Sequence, residues 1–125
     1  MARLVVDGMN VIGSRPDGWW RDRDGAARRL LADLQALTDD DLTLVLDGRP
    51  LDDVPEGTHD GVEVLYARRS GRDAGDDRIV ETVGAASDPT TIVVVTSDRA
   101  LAARVRALGA AVTGARSLLA QLDRD

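Results

Sequence analysis

Short, continuous apolar runs alternate along the chain with segments of helical periodicity. The runs read as strands at 3–6, 42–46, 62–67, 91–95 and 111–113. Apolar residues recur at helical spacing over 24–37, 74–86, 98–108 and 115–123. Because a strand that is apolar throughout needs cover on both faces, the helices must lie on both sides of the sheet. The pattern predicts a three-layer α/β/α fold with a parallel sheet of about five strands.

The chain length and composition narrow the classes of function. With 125 residues, it is predicted to form a single domain spanning 1–125, in which 49–61 is a loop. It contains no cysteine, which excludes disulfides, thiolate metal sites and cysteine nucleophiles. It also contains no lysine, which excludes P-loop nucleotide hydrolysis and Schiff-base chemistry.

The cellular location is predicted from what the sequence does not contain. The first apolar run is short, no basic segment or cleavage site accompanies it, and no apolar stretch approaches membrane-spanning length. We therefore expect a cytoplasmic protein with no membrane partner. The net charge of −6 disfavours tight binding to phosphate backbones by charge alone.

Acidic and polar side chains follow three of the predicted strands. Asp7 follows the first strand, Asp47 follows the second, and the segment Thr96-Ser97-Asp98 follows the fourth. Ligands of open α/β sheets bind outside the carboxyl ends of the strands. These residues are therefore candidates for one common site.

A further acidic candidate lies at the start of the helix over 74–86. At 100° per residue, Asp76 falls on the apolar stripe formed by Ile79, Val80 and Val83, whereas Asp77 points about 100° away. Asp76 is predicted to face the sheet and Asp77 to face solvent.

Several carboxylates at one edge require a counter-charge. Two ionised carboxylates about 4 Å apart repel by roughly 4 kcal/mol at an effective dielectric constant near 20. Either some pKa values rise or a divalent cation binds, and an oxygen-only ligand set indicates Mg²⁺ or Mn²⁺. Such an ion could activate water for attack on a phosphodiester without a protein nucleophile.

The order of these motifs resembles a known family. The segments are Val-Val-Asp7-Gly-Met-Asn10-Val, Leu-Asp47-Gly, Gly-Asp76-Asp77-Arg-Ile79-Val-Glu and Val-Val-Thr96-Ser97-Asp98-Arg99. Together they resemble the YacP-like NYN branch of the PIN-like nucleases. The resemblance implies a sheet of order 3-2-1-4-5, Mg²⁺ or Mn²⁺, and endonucleolytic cleavage of RNA.

The resemblance also implies roles for individual residues. Asp7, Asp76 and Asp98 take the acidic, metal-binding positions, and Asn10 and Asp47 take supporting catalytic positions. Related sequences often have Ala-Asp where this chain has Gly75-Asp76 followed by Asp77, so Asp77 is a second-choice ligand.

No RNA-binding tail is expected after the last strand. Substrate choice is therefore expected to come from loops of the domain or from an unidentified protein partner.

Each acidic or polar candidate also has a purely structural interpretation. Asp-Gly is a common turn pair, which would explain Asp7 and Asp47. Ser97 and Asp98 stand where a helix cap is needed, so one could cap while the other binds metal, with Thr96 and Ser97 in support. The remaining interpretations are a favourable first-turn charge for Asp77 and a satisfied loop amide for Asn10.

Basic and aromatic side chains are candidates for contact with RNA. The arginines are Arg68, Arg69, Arg72 and Arg99. Trp19 and Trp20 could stack on unpaired bases, or instead anchor a loop or a homodimer interface. His59, the only histidine, is assigned no catalytic role.

Three hypotheses about function follow. The first is a metal-dependent endoribonuclease, and the second is a non-catalytic RNA-binding or assembly domain with the same fold. The third is phosphoryl transfer on Asp7, which is disfavoured because such phosphatases usually carry a second Asp two residues later, where this chain has Met9.

Overall fold

A six-stranded sheet forms the centre of the fold. The computed structural model describes residues 3–37, 41–71 and 73–124. The strands are β1 (Arg3–Asp7), β2 (Asp41–Leu46), β3 (Gly57–His59), β4 (Val62–Tyr66), β5 (Ile92–Val95) and β6 (Ala111–Thr113). Their spatial order is β3-β4-β2-β1-β5-β6. The five strands predicted from the sequence take the order 3-2-1-4-5, and all their pairings are parallel.

Within the described residues, five helices cover this sheet. They are α1 (Gly8–Gly13), α2 (Arg23–Gln35), α3 (Ala74–Ala85), α4 (Arg99–Ala107) and α5 (Ala115–Arg124), with single 3-10 turns at Trp19–Arg21 and Pro89–Thr91. The three-layer α/β/α prediction is confirmed. No helix within the described ranges is long and apolar enough to cross a membrane.

The alternation of side chains along β1 divides the core between two faces. Val6 packs into a cluster with residues of α1, α2 and α5, including Ile12, Leu30 and Leu118. Val5 faces the opposite way and packs with residues of α3 and α4, including Ile79. Because β1 lies in the middle of the sheet and is covered on both faces, both side chains are fully buried. The central strand is therefore a rigid base for Asp7 at its end.

Helix α1 is absent from the sequence prediction, which expected a turn at Asp7-Gly8. The helix begins at Gly8, and the backbone of Gly8 lies against β2. A Cβ added there would stand 2.7 Å from Leu46 Cδ2 and 2.8 Å from the Val45 carbonyl oxygen, so the close approach requires glycine. Six residues are too few for a periodic signal, although Val11 and Ile12 are buried.

The loop predicted for 49–61 is also partly wrong, since it contains β3. This strand pairs antiparallel with β4 at the edge of the sheet. It has three residues, and the only one of them that is fully exposed is Thr58, so no apolar run marks it. The extra strand leaves the order of the five predicted strands unchanged.

Candidate active site

Asp7 ends the central strand and is buried, with 8% of its surface exposed. Thr96, which follows β5, donates a hydrogen bond from Oγ1 to Asp7 Oδ2 at 2.8 Å. Burial raises the pKa of Asp7 from 3.8 to about 6. The Thr96 hydroxyl and a backbone bond from Asn10 oppose that rise, while the negative charges of Asp76 and Asp47 add to it. A buried carboxylate with negatively charged neighbours can bind either a proton or a cation.

The segment after β5 is fixed by a short series of hydrogen bonds. The backbone N–H of Asp98 donates to Thr96 Oγ1 at 3.1 Å, so one hydroxyl connects Asp98 to Asp7. Asp98 also caps α4, because its Oδ1 accepts from the N–H groups of Ala100 and Leu101. Its Oδ2 has no hydrogen-bond partner among the described residues. Asp98 can thus act as a cap with one oxygen and as a ligand with the other.

Asn10 and Ser97 hold neighbouring loops together. Asn10 Oδ1 accepts from the Ser97 N–H at 2.8 Å, and Ser97 Oγ accepts from the N–H of Ala115, the first residue of α5. Both polar side chains are therefore occupied by backbone groups. This geometry supports a positioning role for Asn10 and Ser97.

Asp47 follows β2 and is half-buried. The start of α3 lies against it so closely that a Cβ added to Gly75 would stand 3.2 Å from Asp47 Cβ. In the sequence, Gly75 stands where related chains often have Ala. The structure indicates that its missing side chain lets α3 approach the end of β2.

Asp76 and Asp77 have opposite environments. Asp76 is half-buried, and burial raises its pKa, with the charges of Asp98 and Asp73 acting in the same direction. Asp77 pairs with Arg69 at 2.6 Å and with Arg104 at 3.0 Å, and these bonds lower its pKa. The carboxylate of Asp76 thus lies in the field of the other site acids, whereas that of Asp77 is already paired with two arginines.

Asp73 is an acidic neighbour that the sequence interpretation missed. It precedes α3 with a left-handed backbone, at φ 62°, and its side chain makes no capping bond to the helix. An aspartate before a helix is usually its cap, so the sequence carried no signal for this unusual arrangement.

The acids form an electrostatically linked series from Asp47 through Asp7 and Asp76 to Asp98. Within 3–37, 41–71 and 73–124, no three His, Cys, Asp or Glu side chains form a group that could hold a metal ion as they stand. The carboxylate, hydroxyl and amide oxygens suit a hard cation that keeps several of its waters, as Mg²⁺ does. Binding of one shared ion by Asp7, Asp76 and Asp98 stays a prediction.

Two of the arginines predicted to bind RNA are already paired with acids. Arg68 makes two 2.8 Å bonds to Glu81, and Arg69 bonds to Asp77. Arg72 lies outside the described residues. Arg99 is exposed in the first turn of α4, next to Asp98. Of these arginines, the structure favours Arg99 for contact with a phosphate near the acids.

The two tryptophans pack edge to face, with ring centroids 6.1 Å apart. Trp19 is half-buried against the core, which favours the anchoring interpretation for that ring. Trp20 is 60% exposed, with the Arg21 guanidinium 5.7 Å from its centroid. Trp20 is therefore the ring available for stacking or for contact with a partner.

Comparison with known proteins identifies the family. A model of the YacP-like NYN domain matches residues 4–125. The chain belongs to the YacP-like NYN domain family. Two crystal structures of Rae1 (YacP) from Bacillus subtilis, one of them of a mutant, are similar to this NYN domain at 27% sequence identity. Their TM-scores are 0.79 and, for the mutant, 0.73; each match covers 99% of this chain, and 75% and 76% of the other chain respectively. A search of curated proteins found no match.

Family membership indicates the general role of this chain. NYN domains are PIN-like nuclease domains, so the family supports a nuclease-type, RNA-related role. The resemblance found from the four motifs is thereby confirmed at the level of family and fold.

Proposed function

We propose that this NYN domain is an endoribonuclease that hydrolyses RNA phosphodiester bonds with a divalent ion, Mg²⁺ or Mn²⁺. The observation that carries the proposal is the burial of Asp7 at the end of the central strand, within the electrostatic field of Asp47 and Asp76. If this position served only the stability of the core, a neutral residue would be favoured there. A buried carboxylate lowers stability unless a cation compensates its charge.

In this proposal Asp7, Asp76 and Asp98 hold the ion, directly or through its waters, and Asp47 and Asn10 support them. When bound, the ion would lower the pKa of a water and neutralise the leaving oxygen. Thr96 orients the Asp7 carboxylate, because its hydroxyl proton is directed to Asp7 Oδ2. Asn10 fixes the backbone at Ser97 and thereby the position of the Asp98 side chain.

Aspartate-based phosphoryl transfer receives no support from this site. The position two residues after Asp7 is Met9, which packs against the core. A second acid that could protonate a leaving group is therefore not supplied there, and the absence of lysine removes the usual partner of a phosphorylated aspartate.

The test is cleavage of single-stranded and structured RNA by purified protein with Mn²⁺, with Mg²⁺ or with EDTA. We expect internal cleavage that requires the ion. Asp7→Asn should lower the rate by about a hundredfold or more, since a metal ion stabilises the transition state by several kcal/mol. The matched control is Asp41→Asn, because Asp41 is exposed at the opposite end of β2 and should leave the rate unchanged.

Two outcomes would contradict the proposal. Cleavage that persists in EDTA or in Asp7→Asn would show that the acids are not its cause. RNA retention in EDTA without any cleavage would instead favour the second hypothesis, a non-catalytic RNA-binding domain. Calorimetric titration of Mn²⁺ into the protein separates these cases, because only the nuclease proposal requires Asp7→Asn to weaken ion binding.

A further inference from the structure

A pocket of about 220 Å³ opens beside Asp47. It lies between α1, the first turns of α2 and the loop that follows β2. Its floor is apolar and consists of Met9, Ala27, Leu46, Leu51 and Tyr66. The pocket is thus next to the proposed catalytic acids but has a different chemical character.

The floor of this pocket is preformed. The Tyr66 hydroxyl donates to the Val54 carbonyl at 2.5 Å and lies 3.4 Å from the Leu51 N–H, so its polar atom is already bonded. Tyr66, Leu46 and Leu51 are all buried. The floor therefore presents fixed carbon surface, which suits a flat, weakly polar ring.

Two exposed arginines line the pocket. Arg23 and Arg49 form no ion pair with any described residue, and both are exposed. The guanidinium of Arg23 lies 5.8 Å from the centre of the Trp19 ring, within reach of a cation–π contact. This differs from Arg68, which is paired with Glu81. Arginines available to a phosphate are therefore present at this rim.

Two acids balance these cations. Asp24 and Asp47 also line the pocket, so the formal charge of its ionisable residues sums to zero. A neutral cavity with an apolar floor favours an uncharged ring over a free anion. The arginines at its mouth are then placed to contact a phosphate attached to that ring.

We propose that this pocket binds one unstacked nucleobase of the RNA, with Arg23 and Arg49 at the phosphate of the same nucleotide. The inference rests on the proposed function, because it gives the RNA strand a position beside the acids. The volume of about 220 Å³ leaves room for one base on the apolar floor. Binding of a base here holds the adjacent backbone next to Asp47.

The first test is an NMR titration of the ¹⁵N-labelled protein in EDTA with adenosine 5′-monophosphate and, separately, with ribose 5-phosphate. We expect saturable shifts of the amides of Gly48, Arg49 and Leu51 with the nucleotide. Ribose 5-phosphate should bind at least about fivefold more weakly, because base contacts in such sites are worth about 1–3 kcal/mol.

Two variants test the two parts of the pocket. Arg49→Ala should weaken nucleotide binding by about tenfold, since it removes a charge-assisted bond at an exposed position without disturbing the core. Ala27→Met fills the floor and should abolish nucleotide binding while leaving the weak ribose 5-phosphate binding unchanged. Arg116→Ala is the matched control, because Arg116 is an exposed arginine of α5 that does not line the pocket.

Several results would overturn the proposal. They are equal affinity for ribose 5-phosphate and the nucleotide, shifts confined to another region, and equal losses in Arg49→Ala and Arg116→Ala. Because the titration uses neither metal nor cleavage, its outcome is independent of the proposed catalysis. Nucleotide binding without any RNA cleavage in Mn²⁺ refutes the nuclease proposal alone, and cleavage without nucleotide binding refutes the pocket alone.

Discussion

Replacing Asp7 by Asn should stabilise the metal-free protein near neutral pH. Each pKa unit corresponds to about 1.4 kcal/mol. Because folding raises the pKa of Asp7 from 3.8 to about 6, it lowers the free energy of unfolding by about 3 kcal/mol at a pH where Asp7 is ionised in both the folded and the unfolded state. The Asn side chain avoids this cost and can still accept from Thr96. Its amide N–H₂ group replaces one carboxylate oxygen, and burying this group without a full set of partners costs about 1 kcal/mol. The expected net gain is about 2 kcal/mol at about pH 7.5.

The stability gained by Asp7→Asn should depend on pH. Because the folded-state pKa is the higher one, the folded protein keeps the Asp7 proton between pH 3.8 and about 6, where the unfolded chain has lost it. The cost of ionising Asp7 therefore grows as the pH rises through that window and is constant above it. At about pH 4.5 the cost is only about 1 kcal/mol, so wild type and variant should be equally stable there.

Urea unfolding in EDTA, followed by circular dichroism, measures the difference. With a slope of about 1.5 kcal/mol per M, the midpoint of Asp7→Asn should lie about 1.3 M above wild type at about pH 7.5. Asp41→Asn, at an exposed position, should show no such gain. A midpoint of Asp7→Asn at or below wild type at neutral pH would refute the reasoning that burial raises the pKa of Asp7. Excess Mn²⁺ should stabilise wild type more than the variant, because only the wild type keeps the charge that the ion binds.

Three further predictions follow from the hydrogen bonds and ion pairs of the site. Thr96→Val should destabilise the protein by about 1–3 kcal/mol at about pH 7.5, and less at about pH 4.5 where Asp7 is neutral, as measured by the same urea titrations. Asp76→Asn should abolish RNA cleavage, whereas Asp77→Asn should retain it. Asp77→Asn should lower the free energy of unfolding by less than about 1 kcal/mol, because the two arginine partners of Asp77 are exposed. An equal loss of cleavage in both variants would contradict the assignment. Ser97→Ala should cost about 1 kcal/mol in thermal unfolding, through the first turn of α5, without changing Mn²⁺ affinity.

Local sequence patterns were sufficient to predict the elements that carry a continuous apolar run or an apolar stripe at helical spacing. The bounds of the five parallel strands and the four longer helices were predicted within a few residues. A continuous apolar run reflects burial of both faces of a strand, and the helical period reflects burial of one face of a helix. The short elements β3 and α1 left no such pattern. Their formation depends on contacts with β4 and β2, which lie far away in the sequence.

The candidate site shows the same division at the level of single residues. The helical angle between Asp76 and Asp77 predicted which of them faces the acids, and the structure places Asp77 with Arg69 and Arg104. The sequence did not indicate that Arg68 is paired with Glu81, or that Arg23 and Arg49 meet at one pocket. Such pairings join α3, α2 and loops that are brought together only by folding.

The sequence by itself determined the class of fold, its strand order through the family resemblance, and the set of acids at the carboxyl edge. The class of fold and the common position of the acids follow from hydrophobic periodicity and from the rule that ligands bind at the carboxyl ends of parallel strands. Only the tertiary structure decided which charges are free and which are compensated. Burial of Asp7 and the pairing of each arginine depend on distances between side chains from distant segments, and electrostatic energies vary steeply with those distances and with exposure to water.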